Sequence, residues 1–125
     1  MREGSDNRRK KLGAWGEDLA CQYLRENGVN VIEKNVYTPY GEIDVVGEIN
    51  QSIIFIEVKT RKTSSYGYPE VSINRKKAEH MVNSAMSYMQ NRNSPDLPWR
   101  IDVIAILVDE NKPAKIKWFK NAISG

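Results

Sequence analysis

The chain has 125 residues, of which 40% are hydrophobic, so it is long enough for one hydrophobic core and too short for two. No apolar run approaches the roughly 18 residues of a membrane span and the N-terminus is polar, so we expect a cytoplasmic protein with no membrane partner. A single cysteine and a single histidine exclude an internal disulfide and a structural zinc site, and the net charge of +3 permits a polyanionic partner.

Residues 1–11 are rich in charge and poor in apolar side chains. This composition predicts a flexible basic arm before a single domain that spans residues 12–125. The arm holds four consecutive cations, Arg8, Arg9, Lys10 and Lys11. Such a run can follow a phosphate backbone or remain a solvated tail, and the sequence leaves both interpretations open.

The first predicted helix spans residues 12–27 and ends at Gly28. Glu17 lies on the flank of its apolar stripe, beside the small residues Gly13 and Ala20, which would let a neighbouring surface come close. An ordinary exposed helical glutamate is the alternative. The stripe consists of Leu12, Trp15, Leu19, Ala20, Tyr23 and Leu24.

Two strands, residues 42–46 and 53–60, are predicted to form a central hairpin, preceded by an edge strand over residues 29–36. Asp44, Glu57 and Lys59 interrupt these apolar strands. Glu57 and Lys59 share one strand face, because strand side chains alternate in direction. A turn that is symmetric about Ile49 and Asn50 would place Asp44 opposite Phe55, with Glu57 as its diagonal neighbour on the same face.

The predicted pair of carboxylates favours a divalent metal site. Two carboxylates that lie close together in an apolar sheet repel each other, and a magnesium ion with oxygen ligands removes that conflict. The Lys59 ammonium beside them could orient an attacking water or stabilise charge on a phosphate. The alternative is that Glu57 and Lys59 are solvated charges on a half-exposed strand, which is the usual meaning of an isolated E-x-K.

Asp44 followed by Glu57-Val58-Lys59 resembles the PD-(D/E)xK motif of the restriction-endonuclease-like superfamily, with Ile43 in place of the proline. The segments LGAWGEDLACQYL, GEIDVV, IFIEVKTR, INRKKAE and RIDVIAI resemble the YraN-like family of small uncharacterised bacterial proteins, which is related in fold to archaeal Holliday-junction resolvases. The resemblance covers the chain from about residue 11 to residue 108.

The resemblance implies a magnesium or manganese cofactor and a set of site residues. Asp44, Glu57 and the Val58 carbonyl would bind the metal, and Lys59 would handle the nucleophilic water. Glu17 would be an auxiliary catalytic ligand, directly or through water. Lys77 stands where some superfamily nucleases carry a glutamine, a departure that bears on the DNA-processing subtype.

A loop over residues 61–72 and a helix over residues 73–92 are predicted after the hairpin. Tyr66 and Tyr68 could stack on bases or pack on the domain body. The first helical turn carries cations at the positive end of the helix dipole, a conflict that a bound phosphate would remove. We therefore assign nucleic-acid contacts to Arg61, Arg75, Lys76 and Lys77, together with the four cations of the arm. His80, off the apolar stripe, is predicted to be a surface residue.

A strand buried on both faces is predicted over residues 99–108, and an exposed edge strand over residues 114–120. Asp102 interrupts the buried strand. It could belong to the metal site, or it could pair with Arg100 or Arg61 near an end of the sheet, and we favour this structural role.

The element order predicts an α/β fold, α-β-β-β-α-β-β, with a mixed sheet flanked by helices. The function that we predict is a magnesium-dependent nuclease acting on DNA, with branched or repair intermediates among its candidate substrates. The alternative is a non-catalytic nucleic-acid-binding module with a nuclease-like fold. A homodimer is a further partner to be tested.

Overall fold

The computed structural model describes residues 2–62, 73–92 and 96–123, with side chains described from Lys10 onward. It confirms the α/β class and the predicted element order. The elements are α1 (Arg2–Glu26), β1 (Asn30–Thr38), β2 (Gly41–Ile49), β3 (Ser52–Lys62), α2 (Arg75–Gln90), β4 (Trp99–Asp109) and β5 (Lys112–Ile123).

The strands form one five-stranded sheet in the order β1-β2-β3-β4-β5. β3 and β4 are parallel and are connected through α2, whereas the other neighbours are antiparallel. β1 and β5 are the edges, as predicted, and the lysines of β5 are exposed. β4 is buried continuously from Ile101 to Leu107, because it has neighbours on both sides and a covered surface above and below.

Each face of the sheet carries its own hydrophobic core. Ala20, Cys21 and Leu24 of α1 pack on one face, against Ile54 and Ile56 among others. On the other face, Ala85 and Met89 of α2 pack against a second cluster that includes Phe55 and Ile101. The predicted apolar stripe of α1 therefore faces the core, except that Trp15 is 44% exposed.

The first helix begins at Arg2, ten residues before its predicted start. The backbone of residues 2–11 is therefore a helical continuation of α1, so the predicted start of this helix at residue 12 was wrong, and the flexibility of the arm stays a prediction. At the other end, Gly28 has φ +88° and the Val29 amide donates to the Leu24 carbonyl, so the glycine stops the helix in the left-handed conformation. No helix of the described residues is long and apolar enough to cross a membrane.

The central hairpin has a different register from the predicted one. Ile49 pairs with Ser52, so the two turn residues are Asn50 and Gln51, both with positive φ. The twist of a two-residue hairpin favours this geometry, which asparagine tolerates and a β-branched isoleucine does not. Ile49 therefore stays in the strand. Continued by one residue beyond the Val45–Ile56 pair, this register places Asp44 opposite Glu57, whereas the predicted register made the two residues diagonal neighbours.

Candidate active site

Asp44 lies where β2 and β3 separate. Their pairing ends at Val45 and Ile56, and beyond that point Asp44 Oδ2 accepts a hydrogen bond of 2.8 Å from the Val58 amide. Ile43 and Val45 belong to different cores although they are two residues apart, so the alternation of side chains breaks at Asp44. Its carboxylate consequently fills the gap between the two strands.

Glu57 points to the α2 side of the same gap. Its side chain is only 16% exposed, and Lys77 Nζ of α2 lies 2.5 Å from Glu57 Oε1. Glu57 Oε2 is buried and accepts no hydrogen bond from the described residues. A buried carboxylate oxygen without a donor is costly, so this atom is a natural place for a cation or a water.

A cavity of about 390 Å³ opens between this gap and the first turns of α2. Both candidate metal ligands line it, so the structure brings Asp44 and Glu57 together at one cavity. Its rim is basic and partly aromatic. The polar and aromatic lining includes Tyr40, Glu42, Asn74, Lys76, Lys77, His80 and Ser84, of which His80 is exposed as predicted.

Glu17 approaches the site from the α1 side. It is half-buried, and burial followed by the neighbouring Glu42 raises its pKa. In the amide orientation that satisfies all three groups, Asn35 donates to Glu17 Oε1 at 2.9 Å and to Glu42 Oε1 at 2.8 Å. Asn35 itself has φ +53°, which turns its side chain out of the regular ladder of β1.

A close helix-strand contact sets the position of Glu17. Gly16 packs against Thr60 of β3, and a Cβ added there would overlap the threonine hydroxyl. The helix can therefore approach β3 only because residue 16 is a glycine. Of the two small residues that the sequence indicated, Ala20 is buried against the sheet, whereas Gly13 makes no close contact, since nothing lies within 4 Å of a Cβ added there.

The local electrostatics are unfavourable for the charged form of Asp44. Burial, together with the nearby carboxylates of Glu17, Glu57 and Glu42, raises its pKa to about 7 against the lowering effect of the Val58 amide. A carboxyl group that titrates near neutral pH inside a cavity is typical of functional sites, although buried ionic networks produce the same effect.

Lys59 is half-buried and follows Glu57 by two residues in β3, so both side chains leave the strand on the same face. Lys59 does not line the cavity, and no carboxylate of the described residues pairs with it. Val58 directs its amide to Asp44. Since the amide and carbonyl of one strand residue point to the same edge, the Val58 carbonyl also faces the gap.

The predicted phosphate contacts separate into several groups. Lys10, Lys11 and Arg61 are exposed, as is Lys76 at the cavity rim. Arg75 lies 3.6 Å from Glu79 within α2. Lys77 is bound to Glu57 of β3, which compensates its charge, and its contact with a phosphate stays a prediction. The side chains of Arg8, Arg9, Tyr66 and Tyr68 lie outside the described residues.

Asp102 is not part of the cavity. It is completely buried and accepts hydrogen bonds from Arg100 Nε at 3.1 Å, Trp118 Nε1 at 2.8 Å and the Asn121 amide at 2.7 Å. These partners belong to β4 and β5, away from the gap between β2 and β3. The geometry agrees with the favoured structural role and with the predicted Arg100 pair.

A metal would need ligands beyond the protein carboxylates. Within the described residues, no three histidine, cysteine, aspartate or glutamate side chains converge closely enough for a ready metal cage. Asp44, Glu57 Oε2 and the Val58 carbonyl nevertheless offer hard oxygen atoms around one gap. This set fits magnesium, which commonly binds through one or two carboxylates and retains several waters.

Asn35 and Glu42 are site residues that the sequence interpretation missed. Both are exposed strand residues near a turn, and no local pattern distinguishes them from solvated side chains. Only the pairing of Tyr37 with Glu42, together with the approach of α1, brings them to Glu17. These two residues can therefore be found only from the three-dimensional structure. The one sequence feature that points to Glu42 is its position two residues before Asp44.

Comparison with known sequences gives a consistent result. The profile of the uncharacterised protein family UPF0102 matches residues 16–106. A UPF0102 protein of Syntrophomonas wolfei subsp. wolfei is 40% identical over 115 residues, which cover 90% of this chain and 97% of that protein. A UPF0102 protein of Marinobacter nauticus is 36% identical over 122 residues, 98% of this chain and 96% of the relative. A third, from Syntrophotalea carbinolica, is 41% identical over 98 residues, 78% and 80% of the two chains.

Proposed function

The chain belongs to the UPF0102 (YraN-like) family, as its motifs predicted, and from the site that it carries we propose that it is a magnesium-dependent nuclease acting on DNA. The family name assigns no activity, so the proposal depends on the chemistry of the cavity. Manganese is an alternative ion, because the ligands are hard oxygen atoms.

One observation carries the proposal. Asp44 and Glu57 face one cavity, and the burial of both is incompletely compensated: Asp44 has a pKa of about 7 and Glu57 Oε2 has no donor among the described residues. A core that served stability alone would satisfy these oxygen atoms or replace them by apolar groups. A cation bound between them removes both costs.

Each residue then has a defined task. Asp44, Glu57 Oε2 and the Val58 carbonyl would hold the ion. When bound, it would lower the pKa of a water molecule and place positive charge beside the scissile phosphate. Asp44 must lose its proton for this, and it can do so near neutral pH. Lys59, on the same strand face as Glu57, orients the attacking water and offsets negative charge on the phosphate.

Glu17 is proposed to assist from the α1 side. Asn35 holds its carboxylate in place, and its raised pKa makes it a better proton acceptor than an ordinary glutamate. The basic residues around the cavity favour a polyanion: Lys76 lies on its rim, and Arg75 stands next to it in the first turn of α2. Tyr40, which also lines the cavity, is 50% exposed and can stack on a base.

Calorimetric titration with magnesium, paired with a panel of linear and branched DNA substrates, tests the proposal. We expect wild type to bind the ion and to cleave at least one substrate. Asp44→Asn and Glu57→Gln should lose both properties, and Lys59→Gln should bind the ion without cleaving. Asp96→Asn, at an exposed carboxylate away from the cavity, is the matched control and should behave like wild type. Metal binding that is unchanged in Asp44→Asn and Glu57→Gln would contradict the site.

The second candidate is a non-catalytic nucleic-acid-binding module, and one observation favours it. Lys77 already neutralises one oxygen of Glu57, so part of the site is charge-balanced without a metal. DNA binding that is independent of magnesium, without cleavage of any substrate in the panel, would support this module over the nuclease. A homodimer and a cytoplasmic location stay predictions.

A further inference from the structure

The cavity of the candidate active site has a charged part and an apolar part. The carboxylates of Asp44 and Glu57 and two lysines of α2 form the charged part. Phe55 precedes Glu57 by two residues in β3 and lies on the same strand face, so the apolar part begins about 7 Å along the strand from Glu57. A metal ion and a phosphate would occupy the charged part alone, which leaves the apolar part for another portion of the ligand. The apolar lining includes Ile43, Phe55, Met81 and Ile101.

Contacts in the core on the α2 side hold this apolar floor in place. The Phe55 ring packs edge-on against Tyr88 and Trp99, with ring centroids 5.5 and 5.8 Å apart. Phe55 and Ile101 pair in the parallel register of β3 and β4 and are nearly buried, so each presents only a small surface to the cavity. Half-buried Met81 adds a flexible thioether that adapts to the shape of a ligand. The floor is therefore largely formed before a ligand binds, which lowers the entropic cost of binding.

The rim of the apolar part carries an aromatic ring and hydrogen-bonding groups. The Tyr40 amide donates to Thr38 Oγ1 at 3.1 Å, and Thr38 Oγ1 lies 3.1 Å from Ser84 Oγ of α2, so the turn that carries Tyr40 is fixed to the helix. His80 lines the cavity and has no hydrogen-bond partner among the described residues. Asn74, the N-cap of α2, uses only its side-chain oxygen, so its amide group can donate to a ligand.

We propose that the apolar part binds an unpaired nucleobase next to the phosphate at Asp44 and Glu57, a proposal that rests on the proposed function and adds its substrate class. The cavity volume of about 390 Å³ lies within the usual range of about 300–1,000 Å³ for small-molecule pockets. Enzymes that take a base out of the helix bind it between apolar and aromatic side chains with a few hydrogen bonds at its edge, and this lining has both features. A base that is paired and stacked in a duplex cannot enter, so the protein should prefer single-stranded or locally unpaired DNA.

Methyl NMR of the wild-type chain in EDTA tests the pocket without cleavage. Met81 lines the cavity, whereas Met86 of the same helix is exposed outside that lining and serves as an internal control. We expect a single-stranded DNA decamer to shift the Met81 methyl resonance and to leave that of Met86 unchanged. A duplex of the same sequence, and a decamer of abasic tetrahydrofuran nucleotides, should each need at least about tenfold more ligand for the same shift. No shift with the single strand, or an equal shift with the duplex or the abasic decamer, would overturn the proposal.

Paired variants test the same pocket by fluorescence anisotropy of labelled DNA. Met81→Trp fills part of the cavity and should weaken binding of the single strand about tenfold, whereas Met86→Trp makes the same change outside it and should alter affinity by less than about threefold. His80→Ala changes an exposed residue and so avoids damage to the core; it should weaken binding of the single strand about fivefold through the loss of a hydrogen bond. Binding of the duplex should be the same in all three variants. Equal effects of the two tryptophans, or no effect of His80→Ala, would contradict the pocket.

These outcomes are separable from failure of the nuclease proposal, because every measurement is made without metal. A protein that binds no magnesium and cleaves no DNA can still show the Met81 shift and the preference for single strands. Conversely, a protein that cleaves DNA but responds equally to the single strand, the duplex and the abasic decamer would keep the nuclease and lose the base pocket.

Discussion

Lys77 of α2 lies 2.5 Å from Glu57 of β3, so the first turn of the helix supplies a cation to a carboxylate of the candidate metal site. The helix dipole disfavours a cation at this end, and Glu57 compensates for that effect. Lys77 is 48% exposed and Glu57 is 16% exposed, so the pair is asymmetric: the carboxylate depends on the lysine more than the lysine depends on it.

Replacing Lys77 by methionine should therefore have two opposite effects. In EDTA, Lys77→Met should lower the free energy of unfolding by roughly 1–3 kcal/mol, because Glu57 loses its main partner. Magnesium affinity should rise about fivefold, equivalent to about 1 kcal/mol, because the Lys77 ammonium no longer repels a cation from the same carboxylate. Urea unfolding and calorimetry measure the two effects. Lys76→Met, at the same cavity without an ion pair among the described residues, is the control, and equal behaviour of both variants would refute a specific role of the pair.

The contact between Gly16 and Thr60 gives a prediction about the scaffold. Gly16→Ala should destabilise the protein by about 1–3 kcal/mol, because the added methyl group overlaps Thr60 and forces α1 away from β3. Gly13→Ala, three residues earlier in open space, should stabilise it by up to about 1 kcal/mol through helix propensity. Thermal or urea unfolding of the two variants measures the difference. Similar stability of both would show that α1 shifts freely on the sheet.

Local pattern was sufficient to predict the elements of this fold. Alternation and helical periodicity located the hairpin, α2, β4 and β5 to within a few residues, and the family motif pointed to Asp44 and Glu57. The register of the hairpin was missed because the turn was predicted to be symmetric about Ile49 and Asn50, whereas the two turn residues with positive φ are Asn50 and Gln51. The two carboxylates still meet for two reasons. The observed register differs from the predicted one by an even number of residues, and the gap in the sheet exposes Asp44.

The sequence pattern did not predict the contacts between segments that are distant in the chain. Nothing in the run Arg75-Lys76-Lys77 indicates that the third cation turns to β3 while its neighbours stay exposed; that depends on where α2 crosses the sheet. Asn35 likewise joins Glu17 and Glu42 only because its backbone leaves the regular strand conformation. Side chains of these types are usually solvated, so the sequence favours the solvated interpretation until the fold is known.

Asp102 should be a stability residue and not a metal residue. Asp102→Asn should destabilise the protein by roughly 1–3 kcal/mol, because one of the oxygen atoms that accept from Arg100, Trp118 and Asn121 becomes a donor. Magnesium binding should be unchanged. Asp109→Asn, at a turn carboxylate that accepts from the Asn111 amide, is the exposed counterpart and should cost less. Loss of magnesium binding in a folded Asp102→Asn protein would show that Asp102 contributes to the metal site.

The last prediction concerns the pH dependence of stability at Asp44. Burial raises its pKa from the ordinary 3.8 to about 7, so the folded state binds this proton more tightly than the unfolded chain does. The resulting stabilisation is complete below about pH 3.8 and is lost as pH rises through about 7. The loss of stability between these two pH limits is roughly 4 kcal/mol at most.

Asp44→Asn removes this titration while keeping an oxygen that can accept from the Val58 amide. In EDTA the variant should be more stable than wild type at pH 8, and this advantage should be roughly 1–3 kcal/mol larger at pH 8 than at pH 5, because wild type continues to lose stabilisation as pH rises through about 7. Magnesium at pH 8 should then stabilise wild type and leave Asp44→Asn unchanged, because only the carboxylate binds the ion. Urea unfolding at both pH values, with and without magnesium, measures all four differences, and Asp96→Asn should show none of them. A variant that is less stable than wild type at pH 8 would instead make Asp44 a structural residue whose charge the fold requires.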